Sequence, residues 1–430
     1  SAQGIKAAPQ KIELTLDGLG LVEINIEHSK NSFNRQVLTG TLMQDGQVVP
    51  FSEVILVEAK NDTVMGSIET TQGKWLLLPD LNSQQQYLVK RHMEEVDDEI
   101  IQDPYQSPLQ TSLANIGLAP QELPQAAPDK DSDGNTVIDI YMGFSQKALP
   151  YVQDMDAYAV MQIATVNNAL KNSQIENVRV RLVGTGTTDQ HMGMSSAQLS
   201  KLKTWFAADI AKYSPDVVTG YMFWEDGFSN QATGWGYVNG YYNINDIKSP
   251  NAFRHELGHN IGGSHCNDKT GYNFGYNNGM TKTHQCGNNI NYYSNPDITD
   301  MYGLAIGDPN SANMAKIWRD TASRHSSFRP AVVPFENEER QLALHKTGID
   351  VGRDQWAFVN LTIPQGTQRM VVLLNEGDAS QGGASRLYLQ KEGNPSLQNF
   401  HSASADTAPY YVNNQAMGVN DVTPGNWVVG

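Results

Sequence analysis

Residues 249–266 read Ser-Pro-Asn-Ala-Phe-Arg-His-Glu-Leu-Gly-His-Asn-Ile-Gly-Gly-Ser-His-Cys, and no other stretch of the 430 residues constrains the chain as tightly. His255 and His259 are four residues apart, so on a helix both imidazoles leave from one face. Ser249 reads as an N-cap and Pro250 as the first helical residue. Gly262 and Gly263 can supply the positive-φ bend that ends the helix, and that turn can bring His265 back beside the other two. Three neutral imidazoles leave one corner of a tetrahedral Zn2+ open. Glu256, one residue past the first histidine, can reach a water held there.

The full pattern, His-Glu-x-x-His-x-x-Gly-x-x-His, resembles the signature of the metzincin metalloproteases. Other segments resemble its reprolysin-like (adamalysin-type) branch. Val137-Ile138-Asp139-Ile140-Tyr141-Met142 is similar to the first strand of that family, and Ser214-Pro215-Asp216-Val217-Val218 to a later one. Gly234-Trp235-Gly236-Tyr237-Val238 resembles the edge strand that pairs with an extended substrate, and Tyr292-Tyr293-Ser294-Asn295-Pro296 the stretch beyond the Met-turn. The resemblance covers about 130–330. It implies an α+β catalytic domain with a mixed sheet and an active-site helix, one catalytic Zn2+ on His255, His259 and His265, and Glu256 as general base. Met280 is the Met-turn candidate, an apolar floor beneath the metal; Thr281-Lys282-Thr283 and Met301 are the alternatives. No Tyr follows Met280 at the usual place, so no tyrosine ligand is expected. His284 reads as a hydrogen-bonded or surface residue.

The chain has two cysteines, Cys266 and Cys286. Their number alone leaves one disulfide or two free thiols open. Their positions, one directly after His265 and one just past Met280, favour a disulfide tying the two segments together. A free Cys266 thiol near the metal is the alternative.

Three textures divide the chain. Residues 1–128 alternate as strands, as at Ile12 to Leu16 and Val22 to Ile26, with short apolar runs at Val54 to Val57 and Trp75 to Leu78. They end in an acidic and proline-rich tail that reads as a solvated linker. Residues 129–332 mix helical and strand periods, with helices expected around 155–170 and 196–213. Residues 336–430 return to short strands and read as a β-sandwich. The first part resembles the propeptides that precede reprolysin-like domains but carries no Cys to block zinc; an acidic side chain from about 94–103 is the candidate cover. The last part resembles the bacterial pre-peptidase C-terminal domain. Asp129 to Asn135 resembles the start of a Ca2+ loop but lacks its twelfth-position Glu, so Ca2+ is only weakly supported; the same stretch is a candidate activation region.

The net charge of −16 and pI of about 5.0 argue against nucleic acid and anionic membrane as partners. The longest apolar runs fall far short of the ~20 residues of a membrane span. The first residues, Ser1-Ala2-Gln3, fit a processed exported protein or a trimmed chain. The expectation is a secreted, extracellular bacterial zinc endopeptidase acting on proteins or peptides, held as a zymogen by its own propeptide. A zinc-stabilised adhesion or binding protein with a catalytically silent metzincin fold is the alternative.

Overall fold

Apolar residues at every second position build the N-terminal sheet, and here both of its faces are used. The structure, a computed structural model, describes residues 12–83, 85–91, 101–102, 127–190, 196–223, 232–266, 271–336, 338–352, 354–375, 385–404 and 414–430. Most of the acidic stretch 94–103 and the proline-rich residues up to 126 thus lie outside the described residues.

Eight strands form one antiparallel sheet: β1 (Ile12–Leu16), β2 (Gly20–Ser32), β3 (Arg35–Gln44), β4 (Gln47–Val48), β5 (Glu53–Glu58), β6 (Val64–Thr70), β7 (Gly73–Pro79) and β8 (Gln86–Arg91). They follow one another in order, with β4 attached to β3 as a short hairpin arm. Strands β3, β4 and β6 add to those expected. In β5 to β7, Val54, Leu56, Ile68 and Trp75 face a core belonging to this sheet. Their neighbours Ile55, Val57, Met65 and Leu76 face the opposite way, into a core shared with the middle of the chain. A period of two with both faces covered makes every residue of β6 buried.

The middle of the chain is a mixed α/β layer. Its strands are β9 (Ile101–Gln102), β10 (Thr136–Ser145), β11 (Val178–Thr188), β12 (Val217–Met222), β13 (Gly234–Val238) and β14 (Tyr242–Asp246). The order across the sheet is β11-β10-β12-β14-β13-β9. β10, β11, β12 and β14 are parallel, whereas β13 runs antiparallel to β14. Short helix α1 (Leu149–Val152) leads into α2 (Met155–Asn172), which the N-terminal sheet covers. Asp154 caps α2 by accepting from Ala157 N, and the same carboxylate takes Lys60 N at 2.8 Å and Arg35 at 3.0 Å from the N-terminal sheet. The helix expected at 196–213 breaks at Phe206 into α3 (Ser196–Trp205) and α4 (Ala207–Tyr213). Helix α5 (Ala252–Ile261) follows β14, and β15 (Asn295–Thr299), β16 (Ala305–Ile306) and α6 (Met314–Ser326) complete this part.

Beyond it, β17 (Val359–Ile363), β19 (Tyr388–Lys391), β20 (Ser402–Ala403) and β22 (Gly425–Val429) form one sheet, and β18 (Arg369–Asn375) pairs with β21 (Asn414–Asn420). Ile363, Met370, Leu389, Met417 and Trp427 from both sets share one core.

The buried face of β5 to β7 is not apolar throughout. Glu53, Glu69 and Lys74 stand opposite one another across the three strands. All three are buried. Like charges directly opposite destabilise a sheet. Burial, reinforced by Glu69 and opposed by Arg254, raises Glu53 from its ordinary 4.5 to about 7. Between those two values the folded chain keeps a proton that the unfolded chain has lost, so this carboxyl's contribution to stability falls as pH rises through that window. Thermal unfolding at pH 5 and pH 8 should therefore show a smaller pH difference for Glu53→Gln than for the native chain, by at least about 2 °C. An unchanged difference would remove Glu53 as the source.

Candidate metal centre

All ten residues of α5 are buried, polar ones included. The helix starts later than its sequence suggests. Asn251 occupies the cap position rather than Ser249, and its side chain does not cap the helix. Its Oδ1 instead accepts from Arg254 at 2.8 Å and from Lys74 of the N-terminal sheet. Gly262 ends the helix at φ +120°, where a Cβ would also meet the Asn239 side chain at 2.6 Å.

That bend returns the chain so that His265 meets the two helical histidines. Its Nε2 lies 3.1 Å from Nε2 of His255 and 3.2 Å from Nε2 of His259. Nitrogens bound at about 2.0–2.1 Å to a tetrahedral ion stand roughly 3.3 Å apart, so the spacing fits one shared ion. The outer nitrogens support the same assignment. His259 Nδ1 donates to the Gly263 carbonyl at 2.9 Å, which leaves its Nε2 lone pair for a metal. His255 Nδ1 faces Asn288 Oδ1 at 3.4 Å. These three histidines are the group among the described residues whose ligand atoms, within 4.8 Å of one another, could hold a metal ion.

Glu256 is fully buried and lies against β13. A Cβ on Gly234 would come within 2.3 Å of Glu256 Oε1, and one on Gly236 within 2.9 Å of Oε2. The two glycines are what allow this carboxylate to lie on β13. Strand alternation then turns Trp235 and Tyr237 to the opposite side, where they join a second core with Leu199, Leu202 and Ile244. The backbone of Tyr237 and Val238 pairs in parallel with Ile101 and Gln102, so the chain's own segment takes the outer edge of β13.

Cys266 and Cys286 are joined in a disulfide, with Cα atoms 4.9 Å apart. Cys266 N also donates to the Gln285 carbonyl at 3.1 Å, and Gln285 Nε2 donates to the His255 carbonyl at 2.5 Å. The segment carrying the third histidine is thereby tied to the chain that passes under the first.

One expectation needs correction. Met280 is no floor: it sits on a turn, 51% exposed, with its backbone N held by Asn278 Oδ1. Thr281, Thr283, His284 and Gln285, just beyond it, are buried. Asp131, in the stretch that resembles the start of a Ca2+ loop, is held by its own neighbours. Its carboxylate accepts from Asn135 N at 2.9 Å and Asp133 N at 3.0 Å, and pairs with Arg179. Asp129, in the candidate activation region, is buried and accepts from Ala331 N and Asn420.

Residues that the sequence did not flag surround the histidines. Arg254, inside the motif, is fully buried and bidentate on Glu69, at 3.0 and 2.7 Å. Burial alone would raise Glu69, yet Arg254 and Lys74 bring it down to about 2. Arg254 also donates to Asn291 Oδ1 at 2.6 Å, and Asn291 Nδ2 donates to Glu53 at 2.8 Å. His284, which the sequence did flag as a hydrogen-bonded or surface residue, is buried between Asn291 and Asn288; burial, then Arg254 and Lys74, hold it well below the usual histidine range. Nothing local marks Arg254, since its carboxylate partner lies 185 residues away in sequence.

No family model and no curated protein matches the chain. Among solved structures, one chain from a chaperone–substrate complex aligns over 45% of this chain with 24% identity and a TM-score of 0.41; this chain spans only 39% of its length. Metalloproteinase-II from Bacteroides fragilis aligns over 67% of this chain and 88% of its own, with 11% identity and a TM-score of 0.35. Likenesses at that level are distant, and the chemistry must be argued from the site.

His259→Ala removes one of three converging nitrogens. Bound metal, measured by atomic absorption after dialysis, should fall to a small fraction of the native content. Full occupancy in the variant would take His259 out of the ligand set.

Proposed function

We propose that this chain is a zinc-dependent endopeptidase of metzincin type, held here in a latent form, that hydrolyses peptide bonds in extracellular proteins. The observation carrying this reading is the convergence of His255, His259 and His265 Nε2 atoms on one point, with Glu256 on the same helix. A divalent ion held by these three would supply Lewis-acid polarisation of a carbonyl and a water of lowered pKa. Glu256 takes the proton as water oxygen bonds to the scissile carbonyl carbon. It then gives that proton to the nitrogen as the C–N bond breaks. Met280 has no part in this reading; of the alternative segment Thr281-Lys282-Thr283, Thr281 and Thr283 are buried.

An extended peptide would pair with the outer edge of β13, the edge that Ile101 and Gln102 now occupy. That occupation supports latency, with residues 1–128 as the inhibitory propeptide, 129–332 as the catalytic domain and 336–430 as a pre-peptidase-type C-terminal module. The disulfide is compatible with an extracellular setting.

Glu256→Gln keeps the shape of the side chain and loses the base. After limited proteolysis on both sides of Ile101 and Gln102, between residues 92 and 100 and between residues 103 and 126, so that the strand on β13 is freed, the variant should hold zinc at the native level while hydrolysis of a quenched fluorescent casein falls at least about a hundredfold. Measurable turnover of equal rate in the two proteins would refute the assigned base.

A further inference from the structure

The N-terminal sheet meets the metal-bearing part through more than a lid contact. One face of β5 to β7 carries an apolar end, Ile55, Val57, Met65 and Leu76, that belongs to the same core as Tyr158 and Met161 of α2. The other end of that face is the row Glu53, Glu69 and Lys74. Two carboxyls and one ammonium in neighbouring register positions are poorly balanced alone. The opposing surface answers them group by group. Arg254 takes both oxygens of Glu69, Asn251 takes Lys74, and Asn291 takes Glu53. Arg254, Glu69 and Lys74 are all shielded from water. Asp154, at the start of α2, adds Arg35 and Lys60 N at the far end of the contact.

Charge pairs buried in this way are costly to break one partner at a time, because the survivor is left without a counter-ion. We propose that the surface formed by Arg254, Asn251 and Asn291 is a docking site for the carboxylate-bearing face of the N-terminal sheet, and that it keeps this sheet bound as a separate, non-covalent partner once the chain between them is cut. The sheet is then a lasting counterpart of the metal helix, supplying the counter-charge for the residue directly before His255. Ile101 and Gln102 lie on the N-terminal side of any cut made after residue 103, so such a cut leaves the strand paired with β13 attached to the docked sheet. The inference concerns association alone and stands apart from the peptidase reading: neither metal nor turnover enters its test.

A recognition sequence for a site-specific protease, inserted between residues 103 and 126 of the full chain, allows cleavage after folding. On native size-exclusion chromatography at 0.15 M and 1 M salt, the two fragments should co-elute at the position of the intact chain and separate only in denaturant. Separate elution in native buffer overturns the proposal. Exchange of a fluorescently labelled N-terminal fragment then tests the charged contact. Glu69→Ala should weaken retention at least about a hundredfold, and Glu69→Gln, which keeps the side-chain shape, at least about tenfold. Should the alanine variant fail to fold before cleavage, the glutamine variant decides. Exchange as slow as in the native pair would mean that the charged row does not hold the sheet.

Discussion

Two histidines on successive turns of a buried helix cannot close a metal site by themselves, because a helix offers only one face. The third donor has to arrive from chain that has reversed direction, and the reversal has to be held. Here the reversal is Gly262, in a conformation that side chains avoid. The hold is a disulfide one residue past His265, reinforced by the backbone bond from Cys266 to Gln285. Gln285 then reaches back to the His255 carbonyl, so the first and third histidines are braced by one segment. His259 is fixed by the Gly263 carbonyl of the turn itself. The ligand geometry is therefore set by contacts that do not require the ion, which is how a site avoids reorganising when it binds one.

The helix that carries this site is buried on every side, and its polar residues must all be answered. On the sheet side, Gly234 and Gly236 leave room for Glu256. On the opposite side, Arg254 would be an isolated cation in the interior without Glu69. The two requirements come from different parts of the chain, one from the central sheet and one from the N-terminal sheet. Helix α5 thus links the edge strand to a domain that sequence texture alone would separate from it.

The spacing of His255, His259 and His265 was readable because helical period and a glycine turn are local properties. Cys266 and Cys286 were readable for a similar reason, since each lies next to a segment already placed. The strand at 234–238 was expected from resemblance, which did not say which face would meet α5; the glycines do, and the aromatic rings join the core on the other side. Met280 misleads because the exposure of a turn depends on what covers it. Ser249 and Pro250 have the right chemistry for a helix start, yet Asn251 holds that place and spends its side chain on Arg254 and Lys74. The row of Glu53, Glu69 and Lys74 reads as ordinary strand polarity until a partner from α5 is set against it. Such long-range pairing has no signature in the spacing of one chain.

X-ray absorption at the zinc edge, recorded on the purified full chain after exposure to zinc and removal of the excess, tests the centre most directly. The predicted result is one zinc per chain with a first shell of imidazole nitrogens at about 2.0–2.1 Å. Zinc well below one per chain, or a first shell containing sulfur, would contradict a site built from His255, His259 and His265.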